Sequence, residues 1–421
     1  MVTKMATEYI TSKNMVNLIY ETMRAMNKSA AHHGMRVSYI MAKLLSKRNQ
    51  NEKYEIADFM ILAMLHDIGA FKTDDVRKQL TYEAKKTLPH SVYGYLFLKY
   101  LSPFGEPSKM ILYHHMDYTT TKDLDYRYRF ELEVLKIAEI MDIWYKAFGD
   151  EFDYSMIDKY SGTKFDPKAV ELLKKTVAED DFFERIKDGT FKEEFDEYIE
   201  YVLLSDLEKE KYLKMLMYFT GLKNENMVSE TIATISMCRE MGRKLSLNEH
   251  DRNEVYYAAI LHDIGMLAIP DELVNAPRRL DEEEKNLIKT HVEIMEKMLE
   301  GKISENIIKI AAAHHERFDG SGYPKALKAS AMSNKDAILQ LAEYVVNALE
   351  EKPYRRAYTK QEVIDNLNNG IISGQYEAIV TDTLLKNFDD VIEHAQDKAD
   401  VALTTYQKLL RNYKQVYSSL T

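Results

Sequence analysis

Nine of the twelve histidines in this 421-residue chain belong to an ordered array that occurs twice. The array in the first half is His33, His66-Asp67, His90, His114-His115 and Glu139. The array in the second half is Glu230, His262-Asp263, His291, His314-His315 and Glu343. The spacings within the two arrays are similar, which indicates two copies of one unit of about 200 residues rather than a solenoid of short repeats.

The residue types in these arrays are those of a metal centre. Histidine and carboxylate donors without cysteine suit Fe, Mn, Zn or Ni. A carboxylate such as Asp67 or Asp263 can bridge two ions, and two ions about 3.5–4 Å apart would hold a hydroxide for attack on a phosphate ester. A single histidine is more often a hydrogen-bonded core residue than a ligand, but nine at matched offsets favour metal binding. We therefore predict that every member of both arrays is a metal ligand, with Asp67 and Asp263 as the catalytic bridging residues.

The elements that must position these residues read as helices. Apolar residues recur at i, i+3, i+4 and i+7 in segments such as 35–46, 54–66, 131–148 and 253–262. Alternating β-branched runs are absent, and the eight prolines lie at or near apparent helix breaks. Adjacent residues on a helix point about 100° apart, so both members of each histidine pair can be ligands only near a helix end or bend. The sequence predicts an all-α fold.

The repeat also predicts the domain organisation. We expect two tandem helical domains joined by a helical linker. The first would span residues 1–218 and include closing and linking helices, and the second would span residues 219–421 and include the C-terminal helices. The charge-rich stretch over 168–225 is typical of solvated helices that close the first half and lead into the second.

Composition limits the partners and the compartment. The net charge of −11 argues against binding to duplex nucleic acid, which requires a basic face, but it does not exclude a small phosphate ester. No run of 18 apolar residues and no signal pattern is present, so we expect no membrane span. The single cysteine, Cys238, fits a reducing compartment. These features together predict a cytoplasmic protein.

The motifs around the arrays resemble those of a known superfamily. The order H, HD, H, HH and a final carboxylate resembles the HD phosphohydrolase superfamily. The second half is similar to its HD-GYP branch through LHDIGMLAIPDELVNAPRRLDEEEKNLIKTH at 261–291, HHERFDGSGYP at 314–324 and KPYR at 352–355. The resemblance implies an all-α fold. It also implies metal-dependent phosphodiesterases, typically with iron or manganese, that open cyclic dinucleotides such as cyclic di-GMP.

Carried onto this sequence, the resemblance assigns further residues and shows departures. The implied substrate-binding residues are Arg36, Gly322, Tyr323, Pro324 and Arg355, although Arg355 could equally be a solvated surface arginine. The second half has Glu230 where the family has an opening histidine. The lysine that usually follows HDIG is Met266 there and Ala70 in the first half, which weakens the catalytic case.

The sequence supports one main functional hypothesis and two alternatives. The main one is a signalling phosphodiesterase or phosphohydrolase that acts on a nucleotide phosphoester, for example cyclic di-GMP, through attack by a metal-bound hydroxide. It would use binuclear Fe or Mn, with Zn, Ni and Mg as open alternatives, and a homodimer is left open. We expect hydrolysis at the first array and cyclic-dinucleotide recognition at the second. The alternatives are a partly degenerate nucleotide-sensing or scaffold module and a phosphatase of small nucleoside monophosphates.

Overall fold

The computed structural model describes residues 9–48, 53–73 and 87–420 of the protein. Within these ranges the regular secondary structure is helical, with turns and loops between the helices. Within these ranges the extended backbone forms isolated bridges and no named strand. The predicted all-α fold is therefore confirmed. Among the same residues, no helix combines the length and the apolar composition that crossing a bilayer requires.

The helices are numbered in chain order. Those of the first half are α1 (Ser12–Met26), α2 (Lys28–Ser46), α3 (Lys53–Met64), α4 (Ala70–Thr73), α5 (Leu88–Leu101), α6 (Lys109–Tyr113), α7 (Tyr118–Thr121), α8 (Arg129–Phe148), α9 (Pro167–Glu179), α10 (Phe182–Asp188) and α11 (Phe191–Ile199). Those that follow are α12 (Asp206–Lys223), α13 (Glu225–Lys244), α14 (Glu249–Leu261), α15 (Asp271–Val274), α16 (Glu282–Lys289), α17 (His291–Leu299), α18 (Glu305–Ala312), α19 (Asn334–Leu349), α20 (Lys360–Ser373), α21 (Ala378–Lys386) and α22 (Phe388–Leu420).

Both halves place the same order of helices around their arrays. An opening helix (α2 or α13) precedes a helix that ends at the His-Asp pair (α3 or α14). A helix that begins near the third histidine follows (α5 or α17), then one that ends just before the histidine pair (α6 or α18) and one that carries the glutamate (α8 or α19). The opening helices also begin alike, because the side chains of Asn27 and Asn224 accept hydrogen bonds from the first-turn amides of Ala30 and Asn226.

The chain forms two compact units whose limits differ from the predicted boundary between residues 218 and 219. The first unit contains residues 15–208 and 409–420, and the second contains residues 9–14 and 209–408. The predicted boundary lies inside α12, whose Glu210 accepts a hydrogen bond from Tyr256 of the second unit. Each terminus joins the unit built from the other half. Tyr9 packs against Tyr257, and Tyr413 packs against Tyr93.

The linking segment closes the first unit through ion pairs as well as apolar contacts. The ammonium of the buried Lys43, on α2, lies 2.6 Å from the carboxylate of Asp180 and 3.0 Å from that of Glu194. Apolar side chains of α10 and α11 such as Phe182 and Phe195 are buried in the same unit. The linking segment therefore packs against α2, the helix that carries His33.

The glycine of each LHDIG segment lets the turn after the His-Asp pair touch the next helix of the array. A Cβ atom on Gly69 would lie 2.0 Å from the carbonyl oxygen of His90, and one on Gly265 would lie 2.0 Å from that of His291. No side chain fits at that distance, so only glycine permits the approach. This contact brings His66-Asp67 beside His90 in the first unit and His262-Asp263 beside His291 in the second.

Candidate metal centres

In the first unit, helix ends gather the array into one buried cluster. His66 and Asp67 follow α3, His90 lies in the first turn of α5, and His114 and His115 follow α6. His33 comes from the middle of α2 and Glu139 from the middle of α8. All of these side chains are buried except His115, which is about one-fifth exposed. The prediction that the adjacent histidines lie at a helix end agrees with this placement.

Asp67 lies at the centre of the first cluster and divides it into two groups. Its Oδ2 atom is 3.3 Å from His66 Nε2 and 3.9 Å from His33 Nε2. Its Oδ1 atom is 3.6 Å from Nε2 of both His90 and His114. Donor atoms of His33, His66 and Asp67 all lie within 4.8 Å of one another, and so do those of Asp67, His90, His114 and His115. Each carboxylate oxygen thus faces one group of donors, the arrangement that a bridging ligand requires.

The histidines at helix ends share one device that aims their Nε2 atoms inward. The last carbonyl groups of a helix lack intrahelical partners, and the Nδ1 atoms of His66 and His114 lie 2.7 Å from the carbonyl oxygens of Ala63 and Ile111. Donation from Nδ1 to the carbonyl leaves Nε2 as the acceptor that can bind a metal. The spacing of three residues between carbonyl and histidine follows directly from the helix ending there.

The first cluster fits a divalent metal by its donor chemistry and by its unpartnered atoms. Among the described residues, His66 Nε2, His114 Nε2 and Asp67 Oδ1 are buried without a hydrogen-bond partner, although they lie close together. An unsatisfied buried polar atom costs about 1–3 kcal/mol, so three in one place require a ligand that supplies their missing interactions. Imidazole and carboxylate donors suit iron, manganese or zinc.

The charges within the first cluster are strongly coupled. Burial opposes protonation of His66, but the neighbouring Asp67 carboxylate outweighs it and raises the pKa of His66 to about 9. Burial likewise opposes ionisation of Asp67, but the surrounding histidines hold its pKa well below the usual range. A metal ion binds only neutral imidazole, so loading this site would release protons.

Asp142 orients the first histidine from behind. Its carboxylate Oδ2 lies 2.7 Å from His33 Nδ1, and it receives two hydrogen bonds from Arg36, at 2.5 Å from Nε and 2.9 Å from Nη2. Burial opposes its charge, but His33 and Arg36 together lower the pKa of Asp142. The predicted substrate-binding residue Arg36 is thus paired with a buried carboxylate. The sequence interpretation missed Asp142, although it lies one helical turn after Glu139.

Replacing Asp142 with alanine should weaken metal binding at the first unit roughly 10- to 100-fold, the usual cost of losing a partner that orients a ligand histidine. The isosteric Asp142→Asn variant keeps an acceptor for His33 Nδ1, so it should retain most of the affinity. Competition with a graded series of chelators would measure this. Asp150→Ala, which removes an exposed carboxylate paired with Lys187, serves as the control. Equal affinity in the Asp142→Ala and Asp150→Ala proteins would exclude this positioning role.

The second unit assembles its array in a similar way. Asp263 Oδ2 is 3.5 Å from His262 Nε2, and Asp263 Oδ1 is 3.5 Å from His291 Nε2 and 3.8 Å from His314 Nε2. Glu343 Oε2 lies 3.3 Å from His262 Nε2. The donors form two groups, His262 with Asp263 and Glu343, and His291 with His314 and His315. Carbonyl oxygens three residues earlier again contact Nδ1 of His262, His291 and His314.

The structure does not bring Glu230 into the second cluster. The carboxylate of Glu230 lies 2.8 Å from the Lys352 ammonium, which also pairs with Glu350. Burial, with Glu350 alongside, raises the pKa of Glu230 to about 9. The buried hydroxyl of Thr234, one turn further along α13, instead donates to Glu343 Oε2 at 3.4 Å. Glu230 lies 32 residues before His262, close to the 33 residues that separate His33 from His66, whereas Thr234 lies only 28 residues before His262, so matching by residue count selected Glu230.

The predicted substrate loop lies against the second cluster. The Tyr323 ring stacks on the His315 ring with 4.6 Å between centroids, and its amide donates to the His315 carbonyl at 3.2 Å. A cis peptide bond joins Tyr323 to Pro324. The buried Glu316 carboxylate accepts from two amides of the loop, 2.7 Å and 2.8 Å away. A Cβ at Gly322 would lie 2.4 Å from the amide nitrogen of Arg317, which explains the glycine.

Arg355 is not brought to the cluster. Its guanidinium donates to the carbonyl oxygens of Asn347 and Ala348, at 2.8 Å and 3.2 Å, and lies over the Tyr358 ring. These carbonyl groups are at the C-terminal end of α19, where a cation stabilises the helix. Arg355 therefore caps this helix. The sequence had suggested either a substrate-binding arginine or a solvated surface arginine, and neither describes this role.

Comparisons with known proteins agree with this fold and these clusters. Family models described as "HD domain" match residues 30–144 and residues 214–377. The 3'3'-cGAMP-specific phosphodiesterase 1 of Vibrio cholerae is 24% identical over 381 residues, which cover 85% of this chain and 87% of that protein. The cyclic di-GMP phosphodiesterase response regulator RpfG of Xanthomonas campestris is 37% identical over 122 residues, and the match covers 28% of this chain and 32% of RpfG.

A solved structure shares the fold. The cyclic GMP-AMP-specific phosphodiesterase V-cGAP3 of V. cholerae has a TM-score of 0.56 at 16% identity, and the match covers 90% of this chain and 98% of that one. Two helical units, each with an HD cluster, define the class as a tandem HD-domain protein. The chain therefore contains two HD domains, one within residues 30–144 and one within residues 214–377. The predicted relation to cyclic-dinucleotide phosphodiesterases is confirmed.

Proposed function

We propose that this protein is a metal-dependent phosphodiesterase that hydrolyses a cyclic dinucleotide, with hydrolysis at the first unit. The observation that carries the proposal is the placement of Asp67, whose two carboxylate oxygens face separate groups of histidines. Relatives named as phosphodiesterases of 3'3'-cGAMP and of cyclic di-GMP support the substrate class.

The residues of the first unit have two kinds of role, holding the metal ions and orienting the residues that hold them. His33, His66, His90, His114 and His115, with Asp67 and Glu139, would hold the metal ions. When bound, divalent ions in such a site activate water and offset the charge that develops on a phosphoryl group. Asp142 and Arg36 fix the orientation of His33. The burial of all donors except His115 excludes bulk water and leaves the exposed edge of His115 as the side from which substrate approaches.

The second unit is expected to contribute recognition more than turnover. It has Thr234 at the opening position, and Glu230 is held by Lys352. Its loop presents Tyr323 beside the cluster, with the Lys289 ammonium 5.4 Å from the centre of the ring. These observations favour binding of a nucleotide there. The same features also favour the alternative in which the protein senses a nucleotide without hydrolysing it.

Turnover by metal-loaded protein tests the proposal. Protein loaded with Mn²⁺ or Fe²⁺ should linearise 3'3'-cGAMP or cyclic di-GMP, lose that activity in excess chelator and regain it on addition of metal. Elemental analysis of the same preparation supplies the control for loading. If loaded protein hydrolyses none of these substrates but binds them, the sensing alternative replaces this proposal. Release of phosphate from GMP, with no attack on the cyclic dinucleotides, would favour the monophosphatase alternative.

A further inference from the structure

A cavity of about 280 Å³ lies over the cluster of the first unit. It is lined by His33, Asp67, His115 and Glu139 of the cluster, by residues of α8 that follow Glu139, and by residues within 160–165. A substrate whose phosphorus lies at the cluster must therefore place its neighbouring groups within this cavity. The chemistry of the remaining walls then determines which groups those are.

The wall beyond the cluster is aromatic. Trp144, on the same helix as Glu139, and Tyr160 both line the cavity, with 5.9 Å between ring centroids. The half-buried side chains of Ile140 and Ile143 continue the wall along α8. Trp144 is only 3% exposed, whereas Tyr160 is half-buried, so Tyr160 offers the ring surface that a ligand can reach. An aromatic face in the same cavity as the cluster suits a nucleobase, because stacking contributes about 1–3 kcal/mol per base and every base has a π face.

One cation at the mouth of the cavity is available to a ligand. Lys164 is exposed, with its ammonium 5.2 Å from the centre of the Tyr160 ring. In the part of the chain that the structure describes, no carboxylate lies within ion-pair distance of that ammonium. Lys136 also lines the cavity, but it is buried and its ammonium lies 2.8 Å from Glu133. The charge that can meet a phosphate at the mouth is therefore that of Lys164.

The size of the cavity limits how much substrate it encloses. Pockets for small ligands usually measure roughly 300–1,000 Å³, and this cavity of about 280 Å³ lies just below that range. It has room for one nucleoside with its phosphate rather than for two. The second nucleotide of a cyclic dinucleotide would remain outside, with its phosphate at the mouth.

We propose that Tyr160 and Lys164, beside the buried Trp144, form a base-stacking subsite for one nucleotide unit. The base stacks on Tyr160 close to Trp144, the scissile phosphate lies over the cluster, and Lys164 pairs with the other phosphate. This inference rests on the proposed function for the identity of the substrate. Its test uses binding, so the subsite and the hydrolytic activity can fail separately.

Trp144 is the only tryptophan in the chain, so its fluorescence reports on this cavity alone. Titration of the metal-loaded full chain with GMP should quench that fluorescence to saturation. Ribose 5-phosphate, which lacks the base, should compete with GMP for the site while producing little quenching itself. No quenching by GMP, in protein that still hydrolyses a cyclic dinucleotide, would overturn the subsite and leave the proposed function standing. Quenching without any hydrolysis would support the subsite and overturn the proposed function.

Two substitutions distinguish the contribution of base stacking to binding from that of phosphate pairing. Tyr160→Leu should raise the Kd for GMP about tenfold, in line with the loss of one stacking partner, and leave the affinity for ribose 5-phosphate unchanged. Lys164→Ala should weaken a non-hydrolysable phosphorothioate of cyclic di-GMP several-fold, but not GMP. Lys159→Ala removes an exposed lysine next to Tyr160 that does not line the cavity, and serves as the matched control. Equal losses for GMP and the dinucleotide analogue in Lys164→Ala would overturn the assignment of Lys164.

Discussion

Asp67→Ala is expected to empty the metal site of the first unit and to lower hydrolysis of a cyclic dinucleotide at least ~100-fold, because the variant loses the ligand shared by both donor groups and with it the charge stabilisation that metals supply. Elemental analysis should show the loss of the metal held by the first unit only. The second unit has its own central carboxylate, Asp263, so it should stay loaded. The mirror variant Asp263→Ala should give the opposite distribution of metal.

Two controls keep this result interpretable. Asp150→Ala, which removes an exposed carboxylate of the same unit, should leave metal content and hydrolysis unchanged. Helical circular dichroism of Asp67→Ala should match that of the parent protein, because Asp67 caps no helix and its loss removes one buried charge rather than an apolar contact. An unchanged metal content in Asp67→Ala would show that Asp67 does not bridge.

The structure brings together the histidines and carboxylates that the sequence selected, except Glu230, because residue type and spacing carry most of that information. Histidines and carboxylates recur with similar spacing, and most of them lie at helix ends, where their side chains converge. The LHDIG glycines carry a further constraint, since Gly69 packs against the backbone carbonyl of His90 and Gly265 against that of His291. A pattern of this kind is visible in the sequence because few other residues could satisfy it.

The parts that the sequence did not predict depend on packing between distant segments. Glu230 and Thr234 lie one helical turn apart on the same face of α13, so the choice between them depends on the position of α13 along its axis. Asp142 and Arg355 are ordinary charged residues in the sequence, and only their partners, His33 and a helix end, define their roles. The exchange of the two termini between units likewise leaves no local signal, because the contacts of Tyr9 and Tyr413 lie hundreds of residues away.

The two units make opposite predictions about loss of their His-Asp histidine. His66→Ala should lower kcat/KM for a cyclic dinucleotide at least ~100-fold, since it removes a donor from the group that contains His33 and Asp67. His262→Ala should change kcat less than about threefold and act mainly through KM, the signature of lost binding rather than lost transition-state stabilisation. Both variants, assayed side by side with Mn²⁺ at saturating concentration, measure this difference.

The physical basis of this asymmetry is the completeness of each cluster. In the first unit, His33 is present and is oriented by Asp142. In the second unit, Thr234 supplies only a hydroxyl near Glu343, and Glu230 lies against Lys352 away from the cluster. His250→Ala, which changes an exposed histidine outside both arrays, controls for loss of a histidine as such. Loss of turnover in His262→Ala with normal kcat in His66→Ala would move hydrolysis to the second unit. The first unit would then be the one that binds nucleotide without cleaving it, and the subsite at Trp144 would be a sensing site.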